Sequence, residues 1–282
     1  MRNPHRTQKL AFALFFLATL LIVVPVGLIV VIIIQKGSPA INWQFLYDIP
    51  RQGMRAGGIF PAIVGTLYLV AGAILFALPI GLLAAIYLSE YSKDNFLTRI
   101  IRLAIVNLAG VPSVVYGLFG LALFVIFFKF GASILSGSLT LGIMILPIII
   151  TTSREALESV PQSFREVSLS LGASKWQTIR HIVLPNAIPG ILTGTILGLG
   201  RAAGETAPIL FTVAAFYLPQ LPSSIFDQAM ALPYHLYVIS TQVPNVAEKI
   251  RYGTAFVLLA MVLFMNLVAI LIRYRFRKLK KW

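Results

Sequence analysis

The sequence contains no cysteine, and among its 282 residues it has only three histidines and nine acidic residues. Disulfides, thiolate catalysis and cysteine metal sites are therefore excluded. His5, His181 and His235 lie far apart and lack the spacing of metal ligands, so we expect no metal site. The acids and histidines also form no Ser-His-Asp arrangement and no paired carboxylates within apolar segments, so we expect no catalytic residues.

A nucleotide-binding loop is also missing. The pattern G-x-x-x-x-G-K-[ST], whose backbone amides hold nucleotide phosphates, does not occur, and the nearest fragment is the reversed KGS at residues 36–38. The chain itself should therefore bind no ATP and carry no cofactor.

Charge is scarce as well. Charged residues make up 11% of the chain and hydrophobic residues 58%, and the mean hydropathy is +0.89. Soluble domains are usually about 45–50% apolar, so the composition predicts an integral membrane protein. A net charge of +14 would suggest a nucleic-acid partner in a soluble chain, but here it has to be interpreted from where the basic residues lie.

Six apolar segments reach or approach the ~20 residues that a helix needs to cross a bilayer. They are residues 10–34, 59–88, 100–128, 139–152, 187–216 and 254–272. The first is too long for a signal peptide and lacks a small-residue cleavage site, so we expect an uncleaved anchor. The fourth is the weakest, because Gly137 and Ser138 mark its start and Pro147 lies inside it.

The basic residues alternate between the two sides of the membrane. Sixteen of the 23 Lys and Arg residues lie in the N-terminal segment, the loops at 90–102 and 154–186, and the tail from residue 273. The positive-inside rule then predicts a multi-pass protein of the bacterial inner (cytoplasmic) membrane with both termini in the cytoplasm. We expect the tail to bind anionic membrane lipid, and we expect no nucleic-acid partner.

The predicted organisation is a single membrane domain with flanking segments. Residues 1–58 hold the cytoplasmic N-terminus, a first helix peripheral to the core and an outer loop, residues 59–273 the membrane domain, and residues 274–282 a basic cytoplasmic tail. Prolines inside the spans predict kinked helices. The outer segment 218–245, with its four prolines, should include a short surface helix.

The polar segment 153–186 is the longest on the predicted cytoplasmic side. Ser153 is expected to cap a first short helix, and Pro161 to end it or to open the next. Gly172 should end a second helix in the left-handed conformation. Ser174 should cap a third helical turn that ends near residues 184–185.

This segment contains the pattern Glu166-Val167-Ser168, three residues, Gly172, nine residues, Ile182, one residue and Leu184-Pro185. The pattern resembles the EAA loop by which permease subunits of ABC importers dock into their ATPases. The resemblance implies an all-α, polytopic type I importer permease fold with six transmembrane helices and cytoplasmic coupling helices. Val167 and Ser168 stand where the family usually has two alanines. The residues implied to dock the ATPase, which would itself bind ATP and Mg, are Glu166, Gly172, Ala173, Ile182, Leu184 and Pro185. The alternative is an ordinary loop with amphipathic helices.

Two charges lie inside the fifth predicted span. In a helix, Arg201 and Glu205 would share one face with Gly190, Gly194 and Gly198. Because charge is costly at this depth, the pair should face a cavity or a helix interface. It is either a structural ion pair or an anion site in which the guanidinium of Arg201 attracts the substrate.

Four segments resemble the PstA family, permease subunits of phosphate-specific ABC importers. They are LGRAAGETAPILFT at 199–212, GGIFPAIVGTL at 57–67, NLAGVPSVVYGLFGL at 107–121 and ALPYHLYVIS at 231–240. The resemblance implies a heterodimer with a PstC-type permease, two copies of a PstB-type ATPase and a periplasmic PstS-type phosphate-binding protein. A PstC-type subunit, a permease for sulfate or molybdate, and a secondary anion transporter or channel are the alternatives.

The expected pathway residues follow from this resemblance. Arg201 would hold the phosphate oxygens, and Glu205 would either pair with it in the empty site or accept a hydrogen bond from a phosphate hydroxyl, which sulfate lacks. Thr212 lies on the same predicted helix face. Ser113 and Tyr116 would line the same path, or else make helix-to-helix hydrogen bonds near a kink.

Overall fold

The structure, a computed structural model, describes residues 4–278; residues 1–3 and the last four residues of the predicted basic tail lie outside it. Its helices in chain order are α1 (Pro4–Gly37), α2 (Trp43–Tyr47), α3 (Phe60–Ile86), α4 (Phe96–Ala109), α5 (Ser113–Gly120), α6 (Ile134–Glu158), α7 (Gln162–Ser170), α8 (Lys175–Thr178), α9 (Leu184–Gly204), α10 (Ala207–Thr212), α11 (Leu232–Thr241) and α12 (Glu248–Lys278). Three π-helical segments extend or connect them, at Tyr87–Tyr91, Leu121–Phe127 and Ile179–Val183. Between α2 and α3, β1 (Pro50–Arg51) and β2 (Ala56–Gly57) form an antiparallel hairpin.

Membrane-spanning helices dominate the part of the chain that is described. Five helical stretches there are long and apolar enough to cross a bilayer alone: Ala11–Ala40, Phe60–Tyr91, Ile134–Glu158, Lys175–Gly204 and Glu248–Phe276. The pair α4 and α5 meets the same criterion only when taken together, which gives six spans. The predicted all-α polytopic fold is thus confirmed.

The centre of the bundle is the contact between α3 and α6. Along α3, every fourth residue is buried and mostly small: Leu69, Ala73, Ala77, Gly81 and Ala85. A Cβ placed on Gly81 would lie 2.7 Å from a methyl group of Ile149 in α6. Small residues on such a stripe let two helix backbones approach closely, which is how helices pack where no water has to be expelled.

Helix α1 lies at the edge of the bundle, against α12. The most apolar stretch of its span contains no buried residue. Lys36 at its end pairs with Glu248 at the start of α12, with 2.7 Å between Nζ and Oε1. The apolar surface of α1 is therefore free to contact lipid or another chain.

The third and fourth predicted spans differ in the structure. The span predicted at 100–128 as one helix is bent by 103° between α4 and α5, because Gly110 ends α4 and Pro112 disfavours helical backbone at residue 111. The span predicted at 139–152 is longer, since Ser133 caps α6 by accepting a hydrogen bond from the backbone N–H of Ser136 at 3.2 Å. Pro147 lies inside α6 without ending it.

The outer segment 218–245 contains the predicted short helix, α11, but this helix is not confined to the surface. Leu232, His235, Val238 and Ile239 are buried, and α11 packs against α3 and α12. The backbone N–H of Leu232 donates to the hydroxyl of Thr66 in α3 at 2.8 Å. This bond ties the start of α11 to the core.

Candidate functional site

The fifth predicted span, at 187–216, is interrupted where its charges lie. Helix α9 ends at Gly204, Glu205 has extended backbone with φ −76° and ψ 138°, and α10 starts at Ala207. Gly204 is a poor helix former, and Pro208 has no N–H to continue the ladder. The prediction of one continuous helix through Thr212 was therefore wrong.

The break between α9 and α10 lies close to the bent pair α4 and α5. Gly117 in α5 packs directly on α10, where an added Cβ would lie 3.0 Å from the carbonyl oxygen of Ala207 and 3.1 Å from Cα of Pro208. The hydroxyl of Tyr116 donates to the carbonyl of Leu108 at 2.8 Å and so bridges the bend between α4 and α5. Irregular backbone at membrane depth is tolerated where protein buries it or where it lines a cavity.

Arg201 and Glu205 form an ion pair at this break. Nε of Arg201 lies 3.5 Å from Oε1 of Glu205, and the side chains are 31% and 19% exposed. Arg201 is in the last turn of α9, where the free carbonyls carry partial negative charge that favours a cation. The two side chains make a single contact, and it is long at 3.5 Å. Most of the N–H donors of the guanidinium therefore remain available to an anion.

The other predicted pathway residues are placed unequally. Tyr116 lies close enough to Arg201 to interact with its charge, although its hydroxyl is engaged across the bend. Ser113 is the first residue of α5 and is partly exposed. Thr212 is fully buried and its hydroxyl donates to the carbonyl of Pro208 at 2.8 Å, so it does not reach the surface that Arg201 borders.

Three glycines of α9 face α6: Gly190, Gly194 and Gly198. A Cβ on Gly190 would overlap Cβ of Ala156, and one on Gly194 would overlap the hydroxyl of Thr152. The predicted close approach of another helix is therefore present. This contact fixes α9, and with it Arg201, against the central helix of the bundle.

The segment after α6 forms a helical knob at one end of the bundle, which we call the Gly172 end. Gly172 has φ +84° and follows α7, and Ser174 begins α8 with a capping box to Gln177. Both predicted caps are therefore confirmed. Ser153 does not cap a helix, because α6 continues to Glu158 and carries Ser153 inside it.

The predicted docking residues divide into two groups. Glu166 and Gly172 are exposed and Ala173 is partly exposed, while apolar side chains of the knob also face outward, led by Leu171 at 83% exposure. Ile182, Leu184 and Pro185 instead lie in a helical stretch that is continuous from Lys175 to Gly204. The expected helix end near residues 184–185 was wrong, because the π-helical segment Ile179–Val183 joins α8 to α9 and the helix continues through Pro185.

A buried ion pair that the sequence did not reveal anchors the knob. Arg165 in α7 contacts Glu90 with 2.7 Å between Nη2 and Oε1, and the side chains are 13% and 8% exposed. The same guanidinium donates to the carbonyls of Val160 at 2.7 Å and Leu157 at 2.9 Å. Because 75 residues separate the partners, no local pattern pointed to the pair.

The fold and the site together indicate the class of membrane protein to which the chain belongs. Discontinuous helices that meet at a charged pair within a multi-pass bundle are typical of membrane permeases. The chain belongs to the family described as "Binding-protein-dependent transport system inner membrane component", which matches residues 77–281. It is thus a permease subunit of an ABC importer, and the family works with an ATPase and a binding protein.

Comparisons with individual proteins agree with this assignment. The chain is 36% identical over 282 residues to "Probable ABC transporter permease protein YqgI" of Bacillus subtilis (strain 168), covering 95% of each chain. It is 34% identical over 273 residues to "Phosphate transport system permease protein PstA 1" of Mycobacterium tuberculosis (strain CDC 1551 / Oshkosh), covering 95% of this chain and 88% of that one.

Among solved structures, the fold is similar to a chain of a bacterial ABC transporter involved in the import of the acidic polysaccharide alginate. The TM-score is 0.64 at 16% identity, and the match covers 96% of both chains. The predicted type I importer permease fold is confirmed.

Proposed function

We propose that this chain moves inorganic phosphate from the outside into the cytoplasm as one permease subunit of an ATP-driven importer. The observation that carries the proposal is the Arg201–Glu205 pair at a helix break, with its side chains partly exposed. Relatives that are 34% identical over most of the chain and bear the name phosphate transport permease support phosphate as the substrate.

The geometry of the pair suits an oxyanion that carries a proton. Among residues 4–278, Arg201 makes the 3.5 Å contact with Glu205 and no hydrogen bond to another side chain or carbonyl. Its planar fork can therefore hold two phosphate oxygens. Glu205, as an ionised acceptor, binds a protonated phosphate oxygen and repels sulfate, which has no proton to donate at neutral pH.

The partners would be assembled around the two ends of the bundle. The Gly172 end lies in the cytoplasm with both termini. Two copies of a PstB-type ATPase bind there, and one of them docks on the apolar knob of this chain. A PstC-type permease completes the pathway at the exposed side of the pair, and a PstS-type protein delivers phosphate at the opposite end. ATP and Mg belong to the ATPase, so this chain has no catalytic role and no cofactor.

Transport would follow by alternating access. The buried Glu90–Arg165 pair joins the knob to the end of α3, and the carbonyl contacts of Arg165 join it to the end of α6. Motion of a docked ATPase would therefore pass directly to the two central helices. These helices pack on α9, which carries Arg201.

Uptake by the reconstituted complex tests the proposal. In proteoliposomes with ATP available to the ATPase, Arg201→Ala should abolish uptake of labelled phosphate, and Arg201→Lys should leave a small remainder because it keeps charge without the fork. Arg275→Ala, at an exposed arginine near the end of α12, is the matched control and should transport normally.

Three results would contradict the proposal. Unimpaired uptake by an assembled Arg201→Ala complex would remove the pair from the pathway. ATP-driven uptake of sulfate or molybdate in preference to phosphate would assign a different oxyanion, and uptake driven by an ion gradient without ATP would indicate a secondary transporter.

A further inference from the structure

A second group of arginines lies at the Gly172 end, apart from the Arg201–Glu205 pair. Arg99 and Arg102 of α4 and Arg154 of α6 line one cavity of about 300 Å³ between α4, α6 and the end of α3. Gly194 packs on Thr152, so Arg201 lies seven residues further along α9, or about 10 Å along its axis. The cavity is therefore a separate site.

The arginines of this cavity are only partly satisfied by the protein, since the one hydrogen bond of Arg102 to the described chain is a 3.5 Å contact from Nη2 to the carbonyl of Leu88. Nε of Arg102 and Nε of Arg154 are buried and have no hydrogen-bond partner among the described residues. Buried donors are normally paired, and a charged donor left unpaired is especially unfavourable. The two atoms therefore indicate a missing acceptor.

Nearby acids do not supply that acceptor. Nη1 of Arg102 lies 3.6 Å from Oδ1 of Asp94, whose side chain is 92% exposed, and Nε of Arg154 itself lies 3.6 Å from Oε1 of Glu158, whose side chain is 47% exposed. Both distances exceed that of a charge-assisted hydrogen bond, and solvent screens both carboxylates. The lining of the cavity therefore carries three arginines and no acidic residue.

The remaining walls of the cavity are apolar. Leu103, Ile105 and Val106 of α4 and Ile150 of α6 line it beside the arginines. A positively charged cavity with apolar walls at the end of membrane helices suits an amphiphile whose head is an anion. Guanidinium groups match the geometry of phosphate oxygens.

We propose that this cavity binds the phosphate group of an anionic ligand, supplied by an anionic phospholipid whose acyl chains lie along the apolar side of α4. Free inorganic phosphate is the other source of the same chemical group. The site goes beyond the transport pathway, and it stands whether or not Arg201 binds the transported ion.

Lipid retention tests the site directly. The complex is purified in detergent, exchanged into nanodiscs that contain equal amounts of dioleoyl-phosphatidylglycerol and dioleoyl-phosphatidylcholine, re-extracted and washed, and the retained lipid is quantified by mass spectrometry. We expect wild type to retain phosphatidylglycerol preferentially. Arg102→Gln or Arg154→Gln should each lower that retention about tenfold, the effect of losing a hydrogen bond from a charged donor.

Two controls separate binding from folding and from general charge. Lys93→Gln removes one positive charge from the same loop outside the cavity lining and should leave retention unchanged. Arg102→Lys and Arg154→Lys keep the charge without the fork and should retain an intermediate amount of phosphatidylglycerol.

A second arm distinguishes the two sources of phosphate. Complexes that carry Arg201→Ala are placed in nanodiscs of phosphatidylcholine alone and incubated with labelled inorganic phosphate. Binding that disappears in Arg102→Gln would support the site with free phosphate as its ligand. If neither phosphatidylglycerol retention nor phosphate binding changes in the Arg→Gln variants, the proposal is wrong.

Discussion

Arg201 and Glu205 lie where a membrane-spanning chain ordinarily avoids charge. An isolated arginine at the centre of a span costs about 2.5–3.5 kcal/mol on insertion scales. Here the cost is reduced by the partner 3.5 Å away, by the free carbonyls at the end of α9 and by partial exposure. These factors lower the cost without giving the charges a role, and the proposed anion site would supply that role.

Glu205→Gln tests how the site selects its ion. The amide keeps the size of the side chain but removes the negative charge, so repulsion of sulfate is lost. We expect sulfate to inhibit phosphate uptake by this variant at least tenfold more strongly than in wild type, the factor that corresponds to about 1.4 kcal/mol. The measurement is competition between labelled phosphate and unlabelled sulfate in proteoliposomes. Unchanged rejection of sulfate would exclude this role for Glu205.

His235 makes the fold sensitive to acid. It is 2% exposed, neither ring nitrogen has a partner within the described residues, and burial lowers its pKa from 6.5 to about 4. Between these values the unfolded chain binds a proton that the folded chain cannot, so stability falls as pH falls, by about 2 kcal/mol near pH 5. His235→Leu should reduce the loss of melting temperature between about pH 7 and about pH 5.

The matched control is the exposed histidine of the knob. His181→Leu removes an exposed histidine and leaves the buried His235 in place, so it should keep the loss of melting temperature that His235 causes. Equal acid sensitivity of wild type and His235→Leu would show that another group dominates the pH dependence.

At the scale of elements, the knob of the Gly172 end is fixed by one buried ion pair. Removing one partner of such a pair leaves an uncompensated charge and typically costs about 3–5 kcal/mol. Glu90→Gln should therefore lower the melting temperature of the complex and reduce uptake per ATP hydrolysed. The measurement is coupled ATPase and uptake assays on the same proteoliposomes.

The exposed pair Lys36–Glu248 is the control for Glu90→Gln. Its N–O distance is also 2.7 Å, but its side chains are exposed, so Glu248→Gln should change neither stability nor coupling noticeably. If the Glu90→Gln complex kept wild-type stability and coupling, Arg165 would not anchor the knob.

Gly172 offers a test of docking that is free of steric clashes. Its φ is +84°, and an added Cβ would meet no heavy atom of the described chain within 4 Å. Gly172→Ala therefore strains only the backbone, by about 1–2 kcal/mol, and should weaken co-purification of the ATPase. Gly131→Ala has φ +69° and equally free space, so it carries the same strain without affecting the ATPase. Equal ATPase recovery from both variants would contradict docking at the knob.

Local chemistry predicted the caps of the knob correctly, whereas the helix breaks were not predictable. Pro79, Pro147 and Pro189 lie inside helices that continue through them, while Pro112 and Pro208 accompany breaks. The difference depends on tertiary packing, since the two broken helices face each other through Gly117 and α10. Proline spacing alone carries no information about that neighbour.

The same limit applies to the candidate sites. Arg201 and Glu205 could be found because charge inside an apolar segment is conspicuous. The Glu90–Arg165 pair and the three arginines of the cavity between α4 and α6 come together only when distant segments pack. In the sequence these residues therefore looked like ordinary loop charges.

In the molecule as a whole, packed helices connect the knob, where the ATPase is proposed to dock, to the proposed substrate site. The knob is tied to α3 and α6, these helices form the centre, and α9 packs on them and ends at the charged pair. Helices α1 and α12 cover the edge. The central claim is that the transported ion passes the break at Arg201 and Glu205.

The chain's lack of cysteine makes that claim directly measurable. Gly204→Cys places the chain's single thiol at the exposed end of α9, where nothing described lies within 4 Å, beside the charged pair. The measurement is the rate at which an anionic methanethiosulfonate reagent modifies this position in the assembled complex, with Gly131→Cys as control. The account predicts that phosphate, and not sulfate, slows modification at 204 alone. An unchanged rate at 204 in a complex that still takes up phosphate would contradict it.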